Sequence, residues 1–259
     1  IEAIENDVPN IAVGGVLGSN VANVMLVLGA AAVLGAKSDK EIGVNRDALA
    51  VVVATVFMAI FVYSGEVPVL GGVVMLTCLI GYYYYTYSVA IAGDDAYDYE
   101  DSWLPNKMSV AAPSCVLGGV MIWYGAELLV TGSTNIAETF GVSEAVIGLT
   151  MVALGTSLPE LAVTLVAGIR GQGGVAVGNV LGSNVMNIMG IIGIASIVGS
   201  GIPVDVEFQR DIIVVMATSG FVVWMLISDK EFTKNIGIMM ITTYLFYMAY
   251  LGGFLEGLF

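Results

Sequence analysis

The chain has 259 residues, of which 58% are hydrophobic and only 12% charged. With a mean hydropathy of +0.91 it exceeds what a water-soluble core requires and belongs in a bilayer. Histidine is absent, and the two cysteines, Cys78 and Cys115, fall in separate apolar stretches with no CxxC, which argues against a zinc or haem site and leaves both thiols as packing residues.

A hydrocarbon core near 30 Å takes about 20 apolar residues per helix. Such segments follow one another at 11–34, 48–64, 67–92, 110–131, 145–169, 175–198, 212–228 and 236–255, the second and seventh being short. Eight transmembrane helices are expected, so the fold class is an all-α membrane protein. Tight loops leave no room for a soluble domain, and function must sit within the membrane. The domain reading is a first half over 1–92 with three helices, an acidic cytoplasmic connector over 93–109, and a second half over 110–259 with five. The connector, GDDAYDYEDSWLPNK at 93–107, lacks the glycine and spacing of an EF-hand loop and reads as solvated. Tyr82, Tyr83, Tyr84, Tyr85 and Tyr87 end the third span as an interfacial aromatic belt. Glu127, near the outer end of the fourth, reads as an interface or helix-packing residue.

Loop charge sets the orientation. One side carries Lys37, Lys40, Arg46, Lys107, Arg170, Lys230 and Lys234, the other only Arg210, so the first side is cytoplasmic. The formal charge of −14 is also uneven, because Glu66, Glu144, Asp205, Glu207, Asp211 and other acids crowd the outer segments, where they would concentrate cations.

Residues 10–29, NIAVGGVLGSNVANVMLVLG, return at a constant offset of 164 as residues 174–193, GVAVGNVLGSNVMNIMGIIG, with 12 of 20 positions identical. The copies occupy the first and sixth spans, an odd number of reversals apart, so they cross the membrane in opposite directions. Inverted repeats of this kind build many secondary transporters, whose sites lie at the midplane between the halves. Ser19 and Asn23 are four residues apart, as are Ser183 and Asn187, which places each pair on one helical face. Gly14 and Gly18, with Gly178 and Gly182, form GxxxG pairs that let helices approach. Hydroxyls and amides inside apolar helices need polar partners, and ion coordination supplies them.

The span before the second copy contains GLTMVALGTSLPEL, residues 148–161. Glu160 is the one carboxylate deep within an apolar span, and an ionised side chain there is costly unless paired. No Lys or Arg lies in any predicted span, so a cation from solution is the expected partner, with protonation as the fallback. Pro159 cannot donate to the carbonyl of Gly155, so a kink with unpaired backbone oxygens is expected. Thr156 and Ser157 share the face of Glu160. The donor set is all oxygen, which suits Ca2+ or Na+ and not soft or redox metals.

GLTMVALGTSLPELAVTL followed by GGVAVGNVLGSNVMNIMGIIG resembles the second alpha repeat of the sodium/calcium exchangers, in the cation/Ca2+ antiporter superfamily. AVGGVLGSNVANVMLVLG resembles the latter half of the first repeat, and YGAELLVTGSTNIAETFGVSE at 124–144 resembles the helix and loop leading into the second. The resemblance implies an inverted-repeat antiporter fold of ten helices, four of them central. It also implies Glu160 as a principal ligand shared by calcium and sodium, assisted by Thr156, Ser157, Ser183, Asn187 and the carbonyl of Ala153, with Ser19 and Asn23 from the first repeat. No cofactor is expected, since Ca2+ and Na+ bind as substrates. The expected partners are those ions and the lipid bilayer, with no nucleic acid. A monomer in a prokaryotic inner membrane is expected.

Two departures from the family pattern stand out. By the 164-residue offset, a counterpart of the Glu160 helix would precede Ile1, so the chain reads as N-terminally truncated, with eight helices of ten and half of a carboxylate pair, and this fragment alone is not expected to exchange ions. Both copies read SNxxN, where potassium-dependent relatives are expected to carry Asp at the second Asn, so the chain looks potassium-independent. Proton-coupled calcium exchange, a passive cation channel and an intramembrane hydrolase using Ser157 or Ser183 are the competing readings. The hydrolase would have to use Glu160 as its base, because no His is present.

Overall fold

The computed structural model describes residue 4 and residues 9–35, 44–92, 107–139 and 144–251. Helix α1 (Pro9–Ala22) runs through a π-helical segment, Asn23–Leu28, into α2 (Gly29–Val33), so the first predicted span is one rod. Then come α3 (Val44–Ser64), α4 (Val69–Ala92), α5 (Met108–Thr139) and α6 (Glu144–Ile169). A second composite rod is built from α7 (Gly173–Val185), a π segment at Met186–Ile192 and α8 (Gly193–Val198), followed by α9 (Phe208–Ile227) and α10 (Lys234–Leu251). Each predicted span thus has its rod. Among the described residues, 6 helices are long and apolar enough to cross a membrane, while the qualifying stretch of α6 is the shorter Gly155–Ile169. Residues 36–43, which include Lys37 and Lys40, and most of the acidic connector, 93–106, lie outside the described residues.

Large apolar side chains cover the outward faces: Leu49 and Ile60 of α3, Leu70, Ile80 and Tyr84 of α4, Val116 and Trp123 of α5, Ile213 and Trp224 of α9 are all exposed. In water this would be an aggregation surface; in lipid it is the solvent-compatible face. Cys78 and Cys115 lie on it too, so they face outward instead of packing inside. Glu127 is likewise exposed on α5, outside the helix packing.

The duplication is longer than its most obvious stretch. At the same offset of 164, α3 lies over α9, matching Arg46 with Arg210, Asp47 with Asp211 and Phe57 with Phe221. One residue more aligns α4 with α10, matching Gly72 with Gly237, Met75 with Met240 and Tyr82 with Tyr247. The packing repeats as well, since α4 lies against α8 as α10 lies against α2. A Cβ on Gly72 would fall 2.6 Å from the carbonyl oxygen of Gly193, and one on Gly237 would fall 2.5 Å from that of Gly29. Both crossings therefore require glycine, the close approach by which helices associate without a hydrophobic driving force. The sequence GxxxG pairs are used less evenly: a Cβ on Gly14 would meet Phe208 at 3.2 Å, while Gly182 has nothing within 4 Å.

Two tethers stand in equivalent places. The Tyr82 hydroxyl donates to Asp47 Oδ1 at 2.8 Å, and the Tyr247 hydroxyl to Asp211 Oδ1 at 2.9 Å. Tyr82 is half-buried in this bond while Tyr83, Tyr84, Tyr85 and Tyr87 are exposed, so it does not belong to the aromatic belt with the other four. Two short strands, Glu66–Val67 and Ile202–Pro203, pair antiparallel, joining two loops that the charge pattern places on the same outer side. Asn10 reaches Asp205 on that side as well.

Candidate cation site

The two composite rods cross at their polar faces. Asn23 Nδ2 donates to Asn184 Oδ1 at 3.1 Å, and Asn187 Nδ2 donates to Asn20 Oδ1 at 3.1 Å. Residue numbers rise along one rod as they fall along the other, so the copies run antiparallel, as the inverted topology requires. The two bonds are related by the 164-residue offset, Asn20 corresponding to Asn184 and Asn23 to Asn187. Each crossing point lies where α-helix gives way to π-helix. Such segments add a residue to the turn and open the backbone hydrogen-bond pattern, often at functional positions; neither contains proline.

Helix α6 packs against both rods and brings Glu160 to them. Ser183 Oγ donates to Glu160 Oε1 at 2.9 Å. Glu160 Oε2 is buried with no hydrogen-bond partner, as are Ser157 Oγ and Asn23 Oδ1. Ser157 is 2% exposed and Asn23 1%, so these are acceptors withheld from water, each costing about 1–3 kcal/mol if left unpaired. Thr156 is exposed where the adjacent Ser157 is buried, and Ala153 lies earlier in α6, where side chains fall outside the described residues.

Helix α6 continues through Pro159. Just beyond it, Asn179 Nδ2 donates to the backbone carbonyl of Glu160 at 3.2 Å and to Thr164 Oγ1 at 2.9 Å. Asn179 thereby ties α7 to α6 beside the carboxylate. Glu160 also lines a cleft of about 220 Å³ with Gly119, Ile122, Trp123, Pro159, Val163 and Asn179, between α5 and α6. Among the described residues no group of three His, Cys, Asp or Glu side chains converges, and the polar groups bonded to Glu160 there are a hydroxyl and an amide.

Of the expected site residues, Glu160 is joined to Ser183 and Asn187 to Ser19, Asn23 meets Asn184, Ser157 is buried on α6 and Thr156 is exposed. Ser19 differs from its counterpart: its hydroxyl donates to the Val16 carbonyl and accepts from Asn187 Nδ2, both at 3.1 Å. Sequence reasoning missed Asn20, Asn184, Asn179 and Thr164. Asn20 and Asn184 are repeated in register and lie three residues before Asn23 and Asn187, a spacing as much on one face as the four-residue spacing that was used. Asn179 carries no such signal, because its counterpart is Gly15.

Antiparallel duplicated rods meeting at buried amides, with a membrane-embedded carboxylate against one of them, define an inverted-repeat membrane antiporter fold. The family model described as sodium/calcium exchanger protein matches residues 1–88 and 111–253. The chain belongs to this family. It is 33% identical over 217 residues to CaxA of Alkalimonas amylolytica, covering 80% of this chain and 67% of that protein. It is 35% identical over 192 residues to the membrane protein MJ0091 of Methanocaldococcus jannaschii, covering 73% of this chain and 61% of that one. A solved structure of the sodium-calcium exchanger NCX_Mj, soaked with Na+ and Sr2+, superposes with a TM-score of 0.79 at 28% identity, covering 96% of this chain and 79% of that chain. The chain thus spans between three fifths and two thirds of those two relatives.

Proposed function

We propose that this chain forms the ion-binding part of a secondary antiporter that exchanges sodium for calcium by alternating access. One observation carries the reading: Glu160 Oε2 is buried inside a lipid-embedded helix without a hydrogen-bond partner. Among the described residues no donor occupies that oxygen, so it is open to a ligand. A bound cation uses that oxygen together with Ser157 Oγ and Asn23 Oδ1, a hard-donor set suited to Ca2+ and Na+. Two ions that compete for one carboxylate cannot both be bound there, and that exclusion is the basis of exchange. The inverted rods supply the two-fold framework in which the site faces each side in turn.

In this reading Glu160, Ser157, Ser183, Asn187, Ser19 and Asn23 form the ligand shell, with Thr156 and the carbonyl of Ala153 joining when α6 moves. No cofactor takes part. The solved structure that this chain resembles is of a sodium-calcium exchanger, which favours sodium over protons as the coupling ion. The test is sodium-gradient-driven calcium uptake into proteoliposomes by the natural full-length protein, with Glu160→Gln alongside. Uptake should fall to background in the variant; undiminished uptake would remove Glu160 from the mechanism. Wild-type uptake driven by a proton gradient and indifferent to sodium would replace sodium coupling with proton coupling.

A further inference from the structure

Asn20 and Asn184 each follow a ligand serine and stand outside the ligand shell just described. Both are 1% exposed. An amide side chain offers donors at one end and an acceptor at the other, so whatever its nitrogen binds in a dry site decides where its oxygen points.

Asn184 Nδ2 donates to the backbone carbonyl of Asn20 at 3.3 Å. A carbonyl can only accept, so this bond sets which way round the Asn184 amide sits. Its Oδ1 is then the atom that meets Asn23, whose Nδ2 donates to it at 3.1 Å. Turning the Asn23 amide over would set oxygen against oxygen. Asn23 Oδ1 is therefore left on the other side, buried and without a partner. At the opposite crossing Asn20 supplies only the acceptor, because its own Nδ2 is buried without a partner. Asn187 Nδ2 donates to both Asn20 Oδ1 and Ser19 Oγ, each at 3.1 Å. Because Ser19 commits its own hydrogen to the Val16 carbonyl, it can only accept from Asn187.

We infer that Asn20 and Asn184 are positioning residues, each accepting the amide hydrogen of the opposite repeat's ligand asparagine and so keeping that ligand's oxygen available to the cation. The inference rests on the exchange reading for the ligand roles of Asn23 and Asn187. Two side chains that never touch the ion thus set how well it is held, in the way that outer-shell partners orient metal ligands. Each orienting bond also crosses from one repeat to the other, so ligand geometry and rod-to-rod contact depend on the same hydrogen bonds.

The test pairs calorimetric Ca2+ titration of the natural full-length protein in detergent with sodium-driven uptake in proteoliposomes. Asn184→Ala removes the acceptor that faces Asn23, whereas Asn184→Asp keeps an acceptor there. Asn184→Ala should weaken apparent Ca2+ affinity by about 10- to 100-fold with a smaller change in maximal rate, and Asn184→Asp should recover most of that affinity. In an Asn23→Ala background, Asn184→Ala should add nothing further. Asn20→Ala should behave in the same way toward Asn187, which keeps the proposal testable if one variant folds poorly. An affinity for Asn184→Ala within about twofold of wild type, well below the usual outer-shell effect, would overturn the inference. Equal losses in the Ala and Asp variants, or full additivity with Asn23→Ala, would do the same. Wild-type protein that binds neither Ca2+ nor Na+ would overturn the exchange reading and this one together; normal wild-type binding matched by Asn184→Ala would overturn this one alone.

Discussion

The two repeat copies share most of their letters and differ in what their side chains hold. In the second copy Ser183 donates to Glu160 and Asn179 grips the backbone of the same residue. In the first, Ser19 turns its hydrogen onto its own helix at Val16, and the counterpart of Asn179 is Gly15, whose added Cβ would find nothing within 4 Å. Duplicated sequence therefore lays down duplicated scaffolding, while the bonding of each polar group depends on which helix lies beside it. Among the described residues only the second copy has a carboxylate helix against its serine.

That contrast can be broken most directly at the serines. Ser183→Ala removes a hydrogen bond to a carboxylate, a class worth about 1.5–3 kcal/mol, whereas Ser19→Ala removes neutral bonds worth about 0.5–1.5 kcal/mol. Calcium titration should show the larger loss of affinity, ~10-fold or more, for Ser183→Ala; equal losses would mean that the serines act alike and that the asymmetry has no functional weight. A smaller effect is expected from Asn179→Ala, which makes the second copy more like the first. Interhelical hydrogen bonds in membranes average about 0.6 kcal/mol, so thermal unfolding in detergent should shift by no more than a few degrees. Its sharper signature is a change in accessibility of the cleft beside Glu160, read by a cysteine placed at Val163. An unchanged labelling rate there would remove Asn179 as the anchor of α6.

The smallest effects belong to the tethers, where the copies are most alike. Tyr82→Phe and Tyr247→Phe also remove hydrogen bonds to carboxylates, but at half-buried positions where water competes and screens. Each should therefore cost less stability than the roughly 1.5–3 kcal/mol of that class, about 1 kcal/mol. Tyr247→Phe should cost the more, because Asp47 keeps Arg46 Nε at 3.0 Å, whereas Arg210 bonds to the Tyr250 hydroxyl. Melting temperatures in the reverse order would show that the Arg46 contact does not compensate.

Much of this architecture was legible in the chain. Eight apolar stretches became eight helical rods, and loop charge put 65–68 and 199–207 on one side, where the strands at Glu66–Val67 and Ile202–Pro203 do pair. The SNxxN repeat and GTSLPE marked Glu160 and Ser183, which the fold joins by a hydrogen bond, and Asn23, which meets Asn184 across the rods. Helical spacing alone was a poor guide to the remaining polar groups. It chose Ser19 with Asn23 and passed over Asn20, because a face argument treats an i, i+4 pair as sufficient and does not ask what crosses it from another helix. The π segments left no propensity signal, and the likeness of α3 to α9 was hidden by its sparse identities until their matching positions were seen packed in equivalent ways.

The sequence by itself determined the environment, the succession of helical rods and their inversion, and it singled out Glu160, because each follows from local composition and from parity along the chain. Tertiary structure decided which amide faces which, that Tyr82 serves Asp47 instead of the belt, and that Ser19 and Ser183 differ. Those outcomes depend on donors and acceptors meeting across helices more than a hundred residues apart, where a partner's identity is set by packing and not by spacing.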